Sequence, residues 1–253
     1  MSADVIDYRI FGDDIQVVEV ELDPQESVRA ETGAMLYMED SIQMETGTGG
    51  GLLSGFKRIV TGDSFFITSF TNTAPSGKRH IAFAAPYPGK IIPLDLKQLG
   101  GEMLCQKDGF LCAAKGIEIE VAFTKKIGAG LFGGEGFILQ RLTGDGLAFV
   151  HAGGTILEKD LVAGETLMVD TGCLVAFHPN VSYDIQMVSG FKNLLFGGEG
   201  LFLAKITGPG KVYLQSVPFS RLADRIVSAS RKYGGKEESR GLGGILGGFV
   251  SGD

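Results

Sequence analysis

The segment Gly130–Val150, GLFGGEGFILQRLTGDGLAFV, returns further along the chain as Leu194–Leu214, LLFGGEGLFLAKITGPGKVYL. Gly133-Gly134-Glu135-Gly136 becomes Gly197-Gly198-Glu199-Gly200, and Thr143-Gly144-Asp145-Gly146 becomes Thr207-Gly208-Pro209-Gly210 at the same offset. Self-similarity of this kind constrains the fold more than any single motif, because each copy must make the same small unit. Upstream, IIPLDL (Ile91–Leu96) matches ILEKDL (Ile156–Leu161) and, more loosely, VVEVEL (Val17–Leu22). A turn dipeptide follows in each copy: Thr32-Gly33, Asp108-Gly109 and Thr171-Gly172. SGFKRIVTGDSFF (Ser54–Phe66) in the first copy is similar to SGFKNLLFGGEGLF (Ser189–Phe202) in the third. Three units of roughly 63 to 76 residues therefore span Val17 to Pro218. The boundaries fall at 1–88 for a diverged first unit, 89–153 for the second and 154–218 for the third.

Within each unit the pattern is that of strands. IQVVEVEL, SIQMET, IEIEVAF and YDIQMV alternate apolar with polar residues, as half-buried strands do. SFFITSF, GFILQRL, LFLAKI, IAFAA and KVYLQSV are rich in β-branched and aromatic residues. Glycine, 39 of 253 residues, is about twice its usual share of about 7%. The GGEG and TGDG/TGPG stretches are expected where the backbone needs positive φ or approaches another segment closely. Glu135 and Glu199 read as charges on tight turns. An all-β fold follows. One helix is expected, at 219–233 after Pro218, with Phe219, Leu222, Ile226 and Tyr233 on one face, Ser220 as N-cap and Gly234-Gly235 as its end. Residues 234–253 form a Gly-rich tail.

The combination of ETGAMLYM (Glu31–Met38), TGTGGGLLSGFKR (Thr46–Arg58), TGDSFF (Thr61–Phe66) and the later FGGEG copies resembles the AIM24 family. That resemblance covers about Tyr8 to Tyr233. It implies a subunit of three β-sandwich or double-stranded β-helix repeats about a pseudo-threefold axis, similar to the subunit of the tryptophan-RNA-binding attenuation protein. It implies no enzyme activity and carries over no catalytic, cofactor or metal residue.

The chemistry visible in the residues is mostly exclusion. Net charge is −7, so the chain as a whole repels phosphate. The two basic clusters, Lys57-Arg58 and Lys78-Arg79-His80, do not recur in all units, and no nucleic-acid partner is expected. Gly128-Ala129-Gly130-Leu131-Phe132-Gly133 satisfies G-x-G-x-x-G, but a strand follows where a dinucleotide site needs a helix. No P-loop or nucleophile-elbow motif occurs. Cys105, Cys112 and Cys173 are odd in number and widely spaced, which fits buried thiols in a reducing compartment. His80, His151 and His178 do not fall at equivalent positions, whereas Phe83, Phe149 and Tyr213 do, so surface or satisfied histidines and a packed aromatic trio are expected. No secretory signal and no apolar run of about 18 residues is present, and a cytoplasmic bacterial protein is the expectation.

Two functional classes remain. One is a non-enzymatic oligomeric scaffold, since sheet edges and the helix need covering, with a trimer preferred to a dimer because pseudo-threefold subunits stack readily on a true threefold. Its protein partner is unidentified, and membrane contact is the lesser expectation. The other is a small-molecule binding module with a cleft between repeats.

Overall fold

The computed structural model describes residues 2–31, 33–47, 67–125, 137–188 and 201–234. Nineteen strands and one long helix are found among them. The GGEG stretches, Lys57-Arg58, the G-x-G-x-x-G match and the tail beyond Gly234 lie outside the described residues.

Among the described residues the fold is all-β with one α-helix, at its C-terminal end. After β1 (Asp7–Phe11), the strands fall into three successive runs of six. The first run is β2 (Val17–Leu22), β3 (Ser27–Glu31), β4 (Met35–Met38), β5 (Ile42–Gly47), β6 (Ile67–Asn72) and β7 (Arg79–Phe83). The second is β8 (Lys90–Asp95), β9 (Glu102–Gln106), β10 (Phe110–Ala114), β11 (Glu118–Lys125), β12 (Phe137–Thr143) and β13 (Leu147–Ala152). The third is β14 (Ile156–Leu161), β15 (Thr166–Asp170), β16 (Leu174–Phe177), β17 (Ser182–Val188), β18 (Leu201–Thr207) and β19 (Gly210–Gln215). Every strand signal read from the sequence lands on one of these.

Each run pairs in the same way. Its last strand sits between its first and third (β2-β7-β4, β8-β13-β10, β14-β19-β16), and its fifth between its fourth and second (β5-β6-β3, β11-β12-β9, β17-β18-β15). Consecutive runs are joined edge to edge, β3 pairing with β10 and β9 with β16, which builds two six-stranded sheets. A bulge recurs in the third strand, at Met35/Tyr37, Phe110/Cys112 and Leu174/Ala176. It re-aims that strand just beyond the turn that precedes it.

The strand partners correct one equivalence. Phe83 pairs with Val18 and Met35, Val150 with Ile92 and Phe110, and Leu214 with Leu157 and Leu174. Phe83 therefore takes the place of Val150 and Leu214, one residue from the expected match to Phe149 and Tyr213. The reason is that Ile81-Ala82-Phe83 is apolar and fully buried at every position, so no alternation fixes its register.

The main core joins the first two runs through Val18, Val20, Val28, Phe83, Leu94, Phe110 and Phe149, and a second cluster gathers Phe137, Leu139, Phe177, Ile206 and Val212. Cys105 and Cys112 lie in the main core and Cys173 is half-buried; all three are free thiols. Burial pushes the Cys105 thiol up to about 12. The turn glycines meet the stated need. Gly144 has φ +154°, and a Cβ on Gly208 would lie 2.5 Å from the Val162 carbonyl oxygen.

The helix, α1 (Phe219–Gly234), starts directly after Pro218, whose carbonyl accepts the Leu222 N–H at 3.2 Å. Pro218 therefore holds the N-cap position, and Ser220, two residues further on, is inside the helix and does not cap it. Leu222 and Ala223 are partly covered, whereas every residue from Asp224 to Ser230 is exposed. None of the described helices is long and apolar enough to cross a membrane.

Candidate functional site

The turns that follow the second strand of each run line a pair of adjoining clefts of about 400 and 360 Å³. Gly33, the 3₁₀ turn Lys107–Gly109 and the 3₁₀ turn Thr171–Cys173 all contribute to their walls. Tyr87, Asp108, His151 and Phe219 are common to both clefts and divide them. The walls therefore come from all three runs and from the first turn of α1.

Amide side chains fix the far wall. Gln106 donates Nε2 to the Thr171 carbonyl at 2.6 Å, which ties β9 to the next turn. Gln215 accepts from Gly153 N–H and donates to the Gly172 carbonyl, both at 2.7 Å. Both glutamines are buried, so these bonds satisfy groups that would otherwise be costly. Asp170 accepts the Gly172 N–H at 2.9 Å and holds Arg221 at 2.6 Å, which anchors the root of α1.

His151 stands between the clefts. It is 3% exposed, its ring meets Tyr87 edge-on at 4.5 Å, and its Nδ1 has no hydrogen-bond partner. Burial drives its pKa down to about 4, so the imidazole is neutral near pH 7. Gly89 makes room for it: a Cβ there would lie 2.5 Å from the ring. Glu31, at the end of β3, lines the second cleft. Burial raises its carboxyl to about 7; the field of Asp108 adds to that shift and Lys107 opposes it. Tyr87 is pushed up by burial and by the carboxylates of Asp108 and Glu31. Phe219 packs on Tyr87 at 5.1 Å.

The residues weighed in the sequence separate here. His80 lies between Glu21 and Glu39, each 3.2 Å away, and His178 receives the Asn180 N–H on Nδ1 at 3.2 Å. Those two are satisfied; His151 departs from the expectation. In the second basic cluster Lys78 pairs with Glu21 and Arg79 with Asp40, so carboxylates face it. No group of three metal-ligating side chains occurs among the described residues. Glu31 and Tyr87 drew no notice in the sequence. The signal that could have found them is Pro86-Tyr87-Pro88-Gly89, a rigid aromatic connection with a glycine where a ring must fit.

A second feature lies at the sheet edges. Met35, Leu36, Tyr37 and Met38 of β4 are all exposed, from 38% to 57%. Beyond β4 and β15 their sheets show no further strand among the described residues.

A sequence model described as "Mitochondrial biogenesis AIM24" matches residues 8–217. The chain belongs to the AIM24 family. An uncharacterised protein of Streptococcus pyogenes serotype M6 is 30% identical over 215 residues, covering 82% of this chain and 84% of its own. A Streptococcus pyogenes protein solved by X-ray crystallography shares the fold with a TM-score of 0.70 at 24% identity, over 90% of this AIM24-family chain and 99% of that one.

Proposed function

We propose that this AIM24-family protein is a non-enzymatic scaffold that assembles with copies of itself. The observation that carries the reading is β4. Its four residues hold the place in the first run that Phe110–Ala113 and Leu174–Phe177 hold in the second and third, and all eight of those are buried. β10 is covered by β3 and β16 by β9, whereas β4 has no strand on its outer edge among the described residues and four large apolar side chains in solvent. Such an edge invites another strand, and natural chains blunt it with charge or proline unless it is used. Ile226 and Val227 of α1, 61% and 46% exposed, are further apolar side chains left in solvent.

In this reading the units 1–88, 89–153 and 154–218 stand about an approximate threefold axis, as in the tryptophan-RNA-binding attenuation protein subunit. They form a closed homo-oligomer, a trimer in preference to a dimer, in a bacterial cytoplasm. Native mass spectrometry tests it: a defined multiple of 26.8 kDa supports assembly, and a lone 26.8 kDa species removes it.

A second reading has its own observation. The unpartnered, buried His151 beside Tyr87 and Glu31 supports a small-molecule binding site in the cleft between units. A ligand retained on freshly purified protein in the same mass spectrum would favour it.

A further inference from the structure

Resting on that second reading, we infer that the cleft takes a small organic cation: an ammonium group carried on an apolar body. Among the described residues its lining holds three carboxyl groups, Glu31, Asp108 and Asp224, and no lysine or arginine. Of the described cations near these residues, Arg221 is paired with Asp170 and Lys107 acts on Glu31 through its field. An anionic ligand would meet the like charge of Asp108 and Asp224 and, above about pH 7, of Glu31 as well.

The apolar part of the lining suits the rest of such a molecule. Tyr87 and Phe219, packed on one another with their rings tilted by 39°, give both clefts an aromatic wall, and Phe110, Leu111 and Val175 form the adjoining walls. His151 is the second, independent pointer. A polar side chain so deeply buried is normally satisfied, and its Nδ1 is not. Kept neutral, the imidazole adds no positive charge to the wall that it forms with Tyr87. The volumes, about 400 and 360 Å³, are of the size that holds a small ligand.

The charge on Glu31 makes the binding pH-dependent. The groups facing it are Asp108, Lys107, Tyr87 and His151. Since His151 stays neutral above about pH 4, Glu31 with a pKa of about 7 is the one that changes charge between pH 6 and 8.

Isothermal titration calorimetry of the full chain with 2-phenylethylamine, 3-phenylpropionate and 2-phenylethanol tests the inference. The amine should bind at least about tenfold tighter than the acid or the alcohol, and about tenfold more weakly at pH 6 than at pH 8. Glu31→Gln should weaken the amine by about tenfold or more and flatten that pH dependence. If that variant does not fold, Asp108→Asn, on an exposed turn, should cost the amine several-fold. Binding of the acid or alcohol as tight as that of the amine overturns the cationic class and leaves the cleft as a binding site. Failure of all three probes at about 10 mM overturns the cleft reading as well.

Discussion

Glu31 and His151 sit in one pair of clefts and titrate in opposite senses. The folded pKa of Glu31, about 7, lies above its ordinary 4.5, so between those values the folded chain keeps a proton that the unfolded chain has released. Stability contributed by that proton is complete below pH 4.5 and is lost as pH rises toward 7. For His151 the folded pKa, about 4, lies below 6.5, so in that window the unfolded chain takes up a proton that the folded state refuses, and stability rises with pH. The two slopes oppose one another between about pH 4.5 and 6.5. Glu31→Gln removes the first, so its stability relative to the parent should increase from pH 4.5 to 7.5 in urea unfolding. An equal difference at both pH values would mean that Glu31 is solvated. A second residue-scale expectation concerns the core. Phe149, fully buried and edge-on to Tyr8 at 4.9 Å, should cost about 3–5 kcal/mol as Phe149→Ala in the same measurement. Neither Glu31 nor Tyr87 was legible as a site residue. A glutamate beside a Thr-Gly turn and a tyrosine between prolines carry no local sign of the walls that other runs bring to them.

The strands were legible because alternation and β-branched enrichment are local properties. VVEVEL is β2 with the burial pattern that alternation demands. Register was legible only where alternation exists, which is why the all-apolar IAFAA misplaced Phe83. The helix was read to within a residue of its end, yet its cap was not, since a serine at position 220 competes with a proline at 218 that starts the helix alone. α1 is tied down at its first turn by Arg221 on Asp170 and by Phe219 on Tyr87. Arg221→Ala should therefore speed amide exchange in the first turn of α1 while lowering global stability by less than about 1 kcal/mol, as partly exposed ion pairs do. A large global loss would mean that α1 belongs to the core. β4 is the element whose surroundings the sequence could not supply. MLYM figures in the sequence only within a family motif, and as β4 its four apolar side chains stand in water.

At the scale of the whole molecule, the sequence echoes led to three successive units, and strand pairing takes one form in three successive runs. The joins β3–β10 and β9–β16 bury the third strands of the second and third runs. What no local pattern could reveal is that the same position in the first run has no outer strand among the described residues, since that depends on which runs pair with one another. Self-association through this surface is the central claim. Multi-angle light scattering tests it on the parent chain and on Leu36→Lys/Met38→Lys, two positions 57% and 38% exposed where lysine should leave the fold intact. The account predicts a parent mass that is a multiple of 26.8 kDa and a double variant at 26.8 kDa with an unchanged circular dichroism spectrum. A parent chain of 26.8 kDa at tens of micromolar, or a double variant that assembles as the parent does, would contradict it.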